Sequence, residues 1–164
     1  MTKPASPSTN SPAPGSRRAA REAALRVLYT VDVGKQPVEE ATEQTFAAHT
    51  LEPAMADFAR SLISGTLRNR TDIDKAIDKF AVGFPIARQT AVDRNILRMA
   101  AGEILFPVTH APAGAVVNEA VELAKKYSTS DSGKFVNGVL GALVRDREGK
   151  LEAITDIKLE ETNA

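Results

Sequence analysis

Apolar residues along this chain recur at intervals of three and four positions, not in strict alternation, so the pattern predicts helices throughout and no strand. Ser16 is a suitable N-cap for a first helix in which Ala20, Ala23, Ala24, Val27, Leu28 and Val31 share one face, with Gly34 as its stop. A second, short helix starts at Pro37, a favourable first-turn residue, and runs through Phe46 to a break at Pro53. A third and longer helix carries Phe58, Leu62, Ile63 and Leu67 on towards Ile73, Ile77 and Phe80, and ends at Gly83 and Pro85. The fourth holds Val92, Ile96, Met99, Ala100 and Ile104 and is closed by Pro107. The fifth starts near Pro112, turns Val116, Ala120, Leu123 and Ala124 inward and stops after Tyr127. In the STSDSG stretch that follows, Ser130, Asp131 or Ser132 can cap a sixth helix that buries Phe135, Val136, Val139, Leu140 and Leu143. The break at Gly83 to Pro85 is expected to divide the helices into two halves.

The ends lack this periodicity. Residues 1 to 15 are a Pro/Ser/Ala/Thr mixture that cannot offset its ordering entropy by burial, and a disordered tail is expected there. Residues 147 to 164 are mostly charged with widely spaced Leu and Ile, which reads as a loose helix or a solvated tail. A helical domain over residues 16 to 146 lies between them.

Composition sharpens the fold class and removes several functions. Hydrophobic residues make up 43% of the 164, yet Trp is absent and Phe and Tyr are few, so the core is built from Ala, Leu, Ile and Val in close-packed helices. There is no Cys, which excludes disulfides and thiolate metal sites. His49 and His110 stand alone, so neither a metal nor another cofactor is expected. No apolar run approaches the roughly 20 residues that span a bilayer, and the start lacks the apolar core of a signal peptide. The expectation is a cytoplasmic protein with no membrane role.

Basic and acidic residues balance at 21 each, so net charge says nothing about a partner, but their distribution does. Residues 1 to 35 carry Lys3, Arg17, Arg18, Arg21, Arg26 and Lys35 against Glu22 and Asp32, a local charge of +4. At about 100° per residue, Arg17, Arg18 and Arg21 fall in one sector beside the apolar stripe of the first helix, and Tyr29 lies near the line of Arg18. Cations for phosphates beside an aromatic for a base suit single-stranded RNA. A solvated helix face would carry the same residues, although arginines at a helix N-terminus oppose the macrodipole.

Two further segments bear on chemistry. In SDSGKFVNG, residues 130 to 138, Lys134 and Phe135 stand in the first turn of a helix whose free N–H groups can meet a phosphate. Gly133-Lys134 does not make a Walker loop, and Phe135 packed in a core would give the same pattern. In NEAVELAKKY, residues 118 to 127, Glu119, Glu122 and Lys126 are spaced for helical ion pairs, and Asn118 reads as buried. No nucleophile, His or metal partner completes a catalytic site there, so no catalytic residue is assigned.

Taken in order, RRAAREAALRVLY, VDRNILRMAAGEI, NEAVELAKKY and GKFVNGVL resemble the NusB family of antitermination factors, from about Arg17 to Leu143. The resemblance implies an all-α fold, two small packed helical bundles forming one compact domain, and no enzymatic activity. It implies binding of the boxA element of ribosomal RNA leader transcripts jointly with the ribosomal protein NusE, within the RNA polymerase antitermination complex. It places RNA at Arg17, Arg18, Arg21 and Tyr29 and at Lys134 and Phe135, and the NusE side at Asp93 and Arg94. Asp93 is expected to point off the buried stripe, which Val92 occupies, towards solvent. Ala19 stands where some relatives carry another arginine. Gly102 stands where relatives often have an aromatic, which is expected to leave a small gap or a softer helix. The alternatives are a helical adaptor or homodimer without RNA, or a targeting domain like that of RNA cytosine methyltransferases, and a free-standing factor is preferred.

Overall fold

The computed structural model describes residues 11 to 163. Among them are seven α-helices, one 3-10 turn and no strand: α1 (Arg17–Gly34), α2 (Val38–Ala48), α3 (Pro53–Arg68), α4 (Arg70–Phe80), the 3-10 turn (Ile86–Arg88), α5 (Ala91–Leu105), α6 (Ala113–Tyr127) and α7 (Ser130–Asn163). They form two compact units, Met1–Ile63 and Ser64–Ala164. The division thus falls inside α3, not at the Gly83 to Pro85 break that the sequence suggests.

In the first unit, Ser16 caps α1 as expected, its Oγ accepting from the Ala19 amide at 3.1 Å. α1 runs through Gly34, and Lys35 takes the left-handed conformation that ends it, with φ 52°. Ala20, Ala23, Ala24, Val27 and Leu28 are buried along α1, which packs on α2, where Ala41 is buried. Small side chains let the helix backbones approach closely, which is how a core poor in aromatics reaches normal density. Of the expected tail, residues 1 to 10 lie outside the described residues. Residues 11 to 15 lead in as a turn, in which the Pro14 carbonyl accepts from the Glu52 amide at 3.1 Å.

The long third helix of the sequence pattern is two helices. Asn69 breaks it, with φ −105° and ψ 17°. Its side-chain Nδ2 donates to the Gly65 carbonyl at 2.8 Å, the local competition by which Asn weakens a helix interior.

In the second unit α5 packs against α4, α6 and α7. Every residue from Asn95 to Ile104 is buried, so α5 has no solvent face over that stretch. Its buried Arg98 makes a two-pronged contact to Asp74 of α4, at 2.8 and 3.0 Å, the geometry that suits a guanidinium fork. Gly102 leaves no gap: a Cβ built there would stand 3.1 Å from Ile73 Cδ1 and 3.3 Å from Thr66 Oγ1. The missing side chain is what allows α5 to sit this close. Asn118 is exposed, contrary to the expectation of burial, and Lys125 pairs with Glu122 at 3.6 Å.

α7 is continuous to Asn163, and its first half buries Val136, Val139, Leu140 and Leu143. Beyond Arg147 all its described residues are exposed.

Candidate nucleic-acid interface

The basic start of α1 is built by its cap. With Ser16 fixing the entry, and no acidic residue in the first turn, the free N–H end of the helix and its arginines make a local positive field. The expected single strip of arginines divides, however. Arg17 and Arg18 are exposed, whereas Arg21 is only 6% exposed. The Arg21 guanidinium lies 5.3 Å from the centre of the buried Phe58 ring and that of Arg17 lies 5.9 Å from it. Phe58, from α3, reads in the sequence only as core, yet it organises the basic cluster: a ring face draws both guanidinium planes to it. Arg21 is therefore mainly a packing residue with a charge, while Arg17, whose guanidinium also lies over Phe58, and Arg18 are exposed. Tyr29, two turns further along α1 from Arg21, is 40% exposed, an aromatic surface left open to a ligand.

In the second unit the start of α7 has a cap one residue or more earlier than the sequence pattern suggests. Thr129 is the cap, its Oγ1 accepting from the Ser132 amide at 3.0 Å. Ser132 is then free to act elsewhere: its hydroxyl donates to Asp93 Oδ2 at 2.9 Å. Asp93 is 6% exposed and Val92 only half-buried, so the expected outward carboxylate in fact points in. The reason is its partner, which lies 39 residues further along the chain and gives no local signal. A carboxylate buried at the first turn of α7 also meets the positive end of that helix. Arg94 is half-buried and its Nη1 reaches the Gln89 carbonyl at 3.4 Å.

The same turn of α7 carries Lys134, exposed, and Phe135, half-buried. Phe135 is not simply core. Its ring meets Phe84 edge to face, with centroids 5.5 Å apart and planes at 89°. Phe84 is not legible as a site residue in the sequence, because the Gly83-Phe84-Pro85 stretch reads only as a helix stop. Among the described residues, no group of His, Asp and Glu could hold a metal ion, and no helix is long and apolar enough to cross a membrane.

Residues 18–145 match the family model described as the NusB family. A transcription antitermination protein NusB of Elusimicrobium minutum is 41% identical over 135 residues, which cover 82% of this chain and 96% of that protein. Among solved structures, the T. maritima NusB superposes with a TM-score of 0.74 at 32% identity, covering 81% of this chain and 93% of that one. A crystal structure of the antitermination factors NusB and NusE in complex with dsRNA gives a TM-score of 0.73 at 31% identity, covering 79% of this chain and 96% of that one.

Proposed function

The chain belongs to the NusB family, and from that premise we propose that it is a non-enzymatic, RNA-binding transcription antitermination factor acting in the cytoplasm. Its RNA is the boxA-type element of ribosomal RNA leader transcripts, bound jointly with NusE and delivered to the antitermination complex on RNA polymerase. The observation that carries this reading is the relative held with NusE and dsRNA, whose fold this chain reproduces over 96% of that chain's length.

Within that reading Arg17 and Arg18 neutralise phosphates, since both are exposed at the positive end of α1. Tyr29 offers a face to a base. Lys134 and Phe135 form a second RNA-facing group at the start of α7. Arg21 supports the first group from behind by its packing on Phe58. For the protein partner, the exposed part of Arg94 is the better candidate of the expected pair, because the Asp93 carboxylate is engaged by Ser132. Residues 147 to 164 form a charged appendix to the helical domain over 16 to 146.

Fluorescence anisotropy with a boxA-like RNA and a permuted RNA of equal composition tests the reading. Tighter binding of the boxA-like strand is expected. Equal binding of both would leave a generic polyanion binder or a protein adaptor in its place.

A further inference from the structure

The segment between α4 and α5 carries a surface feature that none of the expected site residues includes. Val82 is 88% exposed and Phe84 is 43% exposed. A lone exposed apolar side chain needs no explanation, but Phe84 continues into Phe135 through their edge-to-face contact, so the apolar surface is contiguous from the segment to α7.

The segment is held, not loose. Gly83 supplies a φ of 76°, and the Phe84 amide closes the turn onto the Ala81 carbonyl at 3.0 Å. Buried Gln89 donates from Nε2 to the Phe84 carbonyl at 3.1 Å, and the Ile86 amide donates to Asp78 Oδ1 at 2.8 Å. A ring fixed in this way loses little further entropy when it meets a ligand.

Charge points to the kind of ligand. Arg88 and Lys134, which flank Phe84 and Phe135 in sequence, are both exposed. Among the described residues neither makes an ion pair, and Asp131 is the opposing charge on the first turn of α7. An apolar protein side chain would use the rings alone. Aromatic faces on segments that also carry exposed cations, Arg88 four residues after Phe84 and Lys134 just before Phe135, are the combination that receives bases and the phosphates between them.

We propose that Phe84 is a base-stacking residue for single-stranded RNA, completing with Phe135 an aromatic platform whose phosphate-facing cations are Arg88 and Lys134. Because the rings are perpendicular, they cannot both lie flat on one base; one takes the base and the other buttresses it or takes its neighbour. This rests on the RNA-binding reading above, and extends it to a residue and a segment that reading does not include.

The test is an anisotropy titration with NusE present, using a short boxA-like RNA and a set in which each nucleotide in turn is abasic. Phe84→Leu keeps bulk and apolarity without the π-face, and Phe84→Trp keeps the face. Phe84→Leu should weaken binding on the order of tenfold, Phe84→Trp should restore it, and one abasic position should harm the wild type but leave Phe84→Leu no weaker. Arg88→Glu, at an exposed site, should weaken binding severalfold with no change in melting temperature. Undiminished binding by Phe84→Leu or Arg88→Glu would overturn the proposal, as would a Phe84→Leu loss spread evenly over all abasic positions. Loss of NusE association alone, measured without RNA, would assign the platform to a protein instead. If the wild type binds no RNA with NusE present, the functional reading itself fails, and the platform with it.

Discussion

The Ser132 hydroxyl donates to the Asp93 carboxylate at 2.9 Å, joining the first turn of α7 to the first turn of α5. Lys134 and Phe135 follow within one turn, so this bond sets the position of the second candidate RNA-facing group. Asp93→Ala should lower stability by about 1.5–3 kcal/mol, the worth of a hydrogen bond to a charged group. Urea unfolding measures it. A change under about 0.5 kcal/mol, typical of a surface site, would mean that the desolvation of Asp93 Oδ1, which is buried without a hydrogen-bond partner, cancels the bond to Ser132.

The arginines of α1 should separate by role. Arg17→Ala with Arg18→Ala should leave the melting temperature unchanged and reduce the log–log salt slope of RNA binding by roughly 0.7 for each phosphate that is no longer neutralised. Arg21→Ala should instead lower stability by about 1–2 kcal/mol, because its guanidinium packs on Phe58 in a largely desolvated site. Thermal melts beside salt titrations decide. A normal melting temperature for Arg21→Ala would return it to the exposed strip.

Helix periodicity makes most of this fold legible from the sequence, because the stripes of α1, α5, α6 and α7 are long and their caps use ordinary residues. Ser16 is local in its chemistry and readable; Thr129 is hidden among several hydroxyls of equal capping ability. The break at Asn69 is invisible to the pattern because apolar spacing continues across it through Leu67 and Ile73. Burial of Asp93 and the Phe84 to Phe135 contact depend on residues far apart in the chain, and no local pattern reports them. The basic start of α1 is legible as charge, but its division is not, since Phe58 lies on another helix.

Gly102 offers a test of close packing. Gly102→Ala should cost about 1 kcal/mol or less, since overpacking against Ile73 is opposed by better helix propensity. Ile73→Val removes the Cδ1 atom that the new methyl would meet at 3.1 Å. The double variant should therefore be more stable than the two single changes sum to, by at least about 0.5 kcal/mol. Strict additivity in urea unfolding would show that these side chains do not touch.

Asp146 links α7 to α4. A hydrogen bond from Lys150 holds its carboxyl below the ordinary value, aided by the charge of Lys150 and by Lys79, whose Nζ lies 3.4 Å away. A lowered folded-state value means the contribution is fully present above the ordinary carboxylate range and is lost as pH falls through the lowered value. Wild type and Asp146→Asn should differ slightly in melting temperature at neutral pH, as exposed pairs do, begin to converge as pH falls below about 4, and meet once pH has fallen through the lowered value. A constant difference down to about pH 3, below the ordinary carboxylate value, would remove the ion pairs as its cause.

If this chain binds RNA and NusE together, as proposed, the two binding events are thermodynamically coupled. Titrating a labelled boxA-like RNA with the protein, alone and with saturating NusE, gives the ratio of the two dissociation constants. A tightening of at least about fivefold is expected, the low end of ordinary coupling, with the same factor when NusE is titrated in the presence and absence of RNA. A ratio of one, with both partners bound, would contradict that coupling.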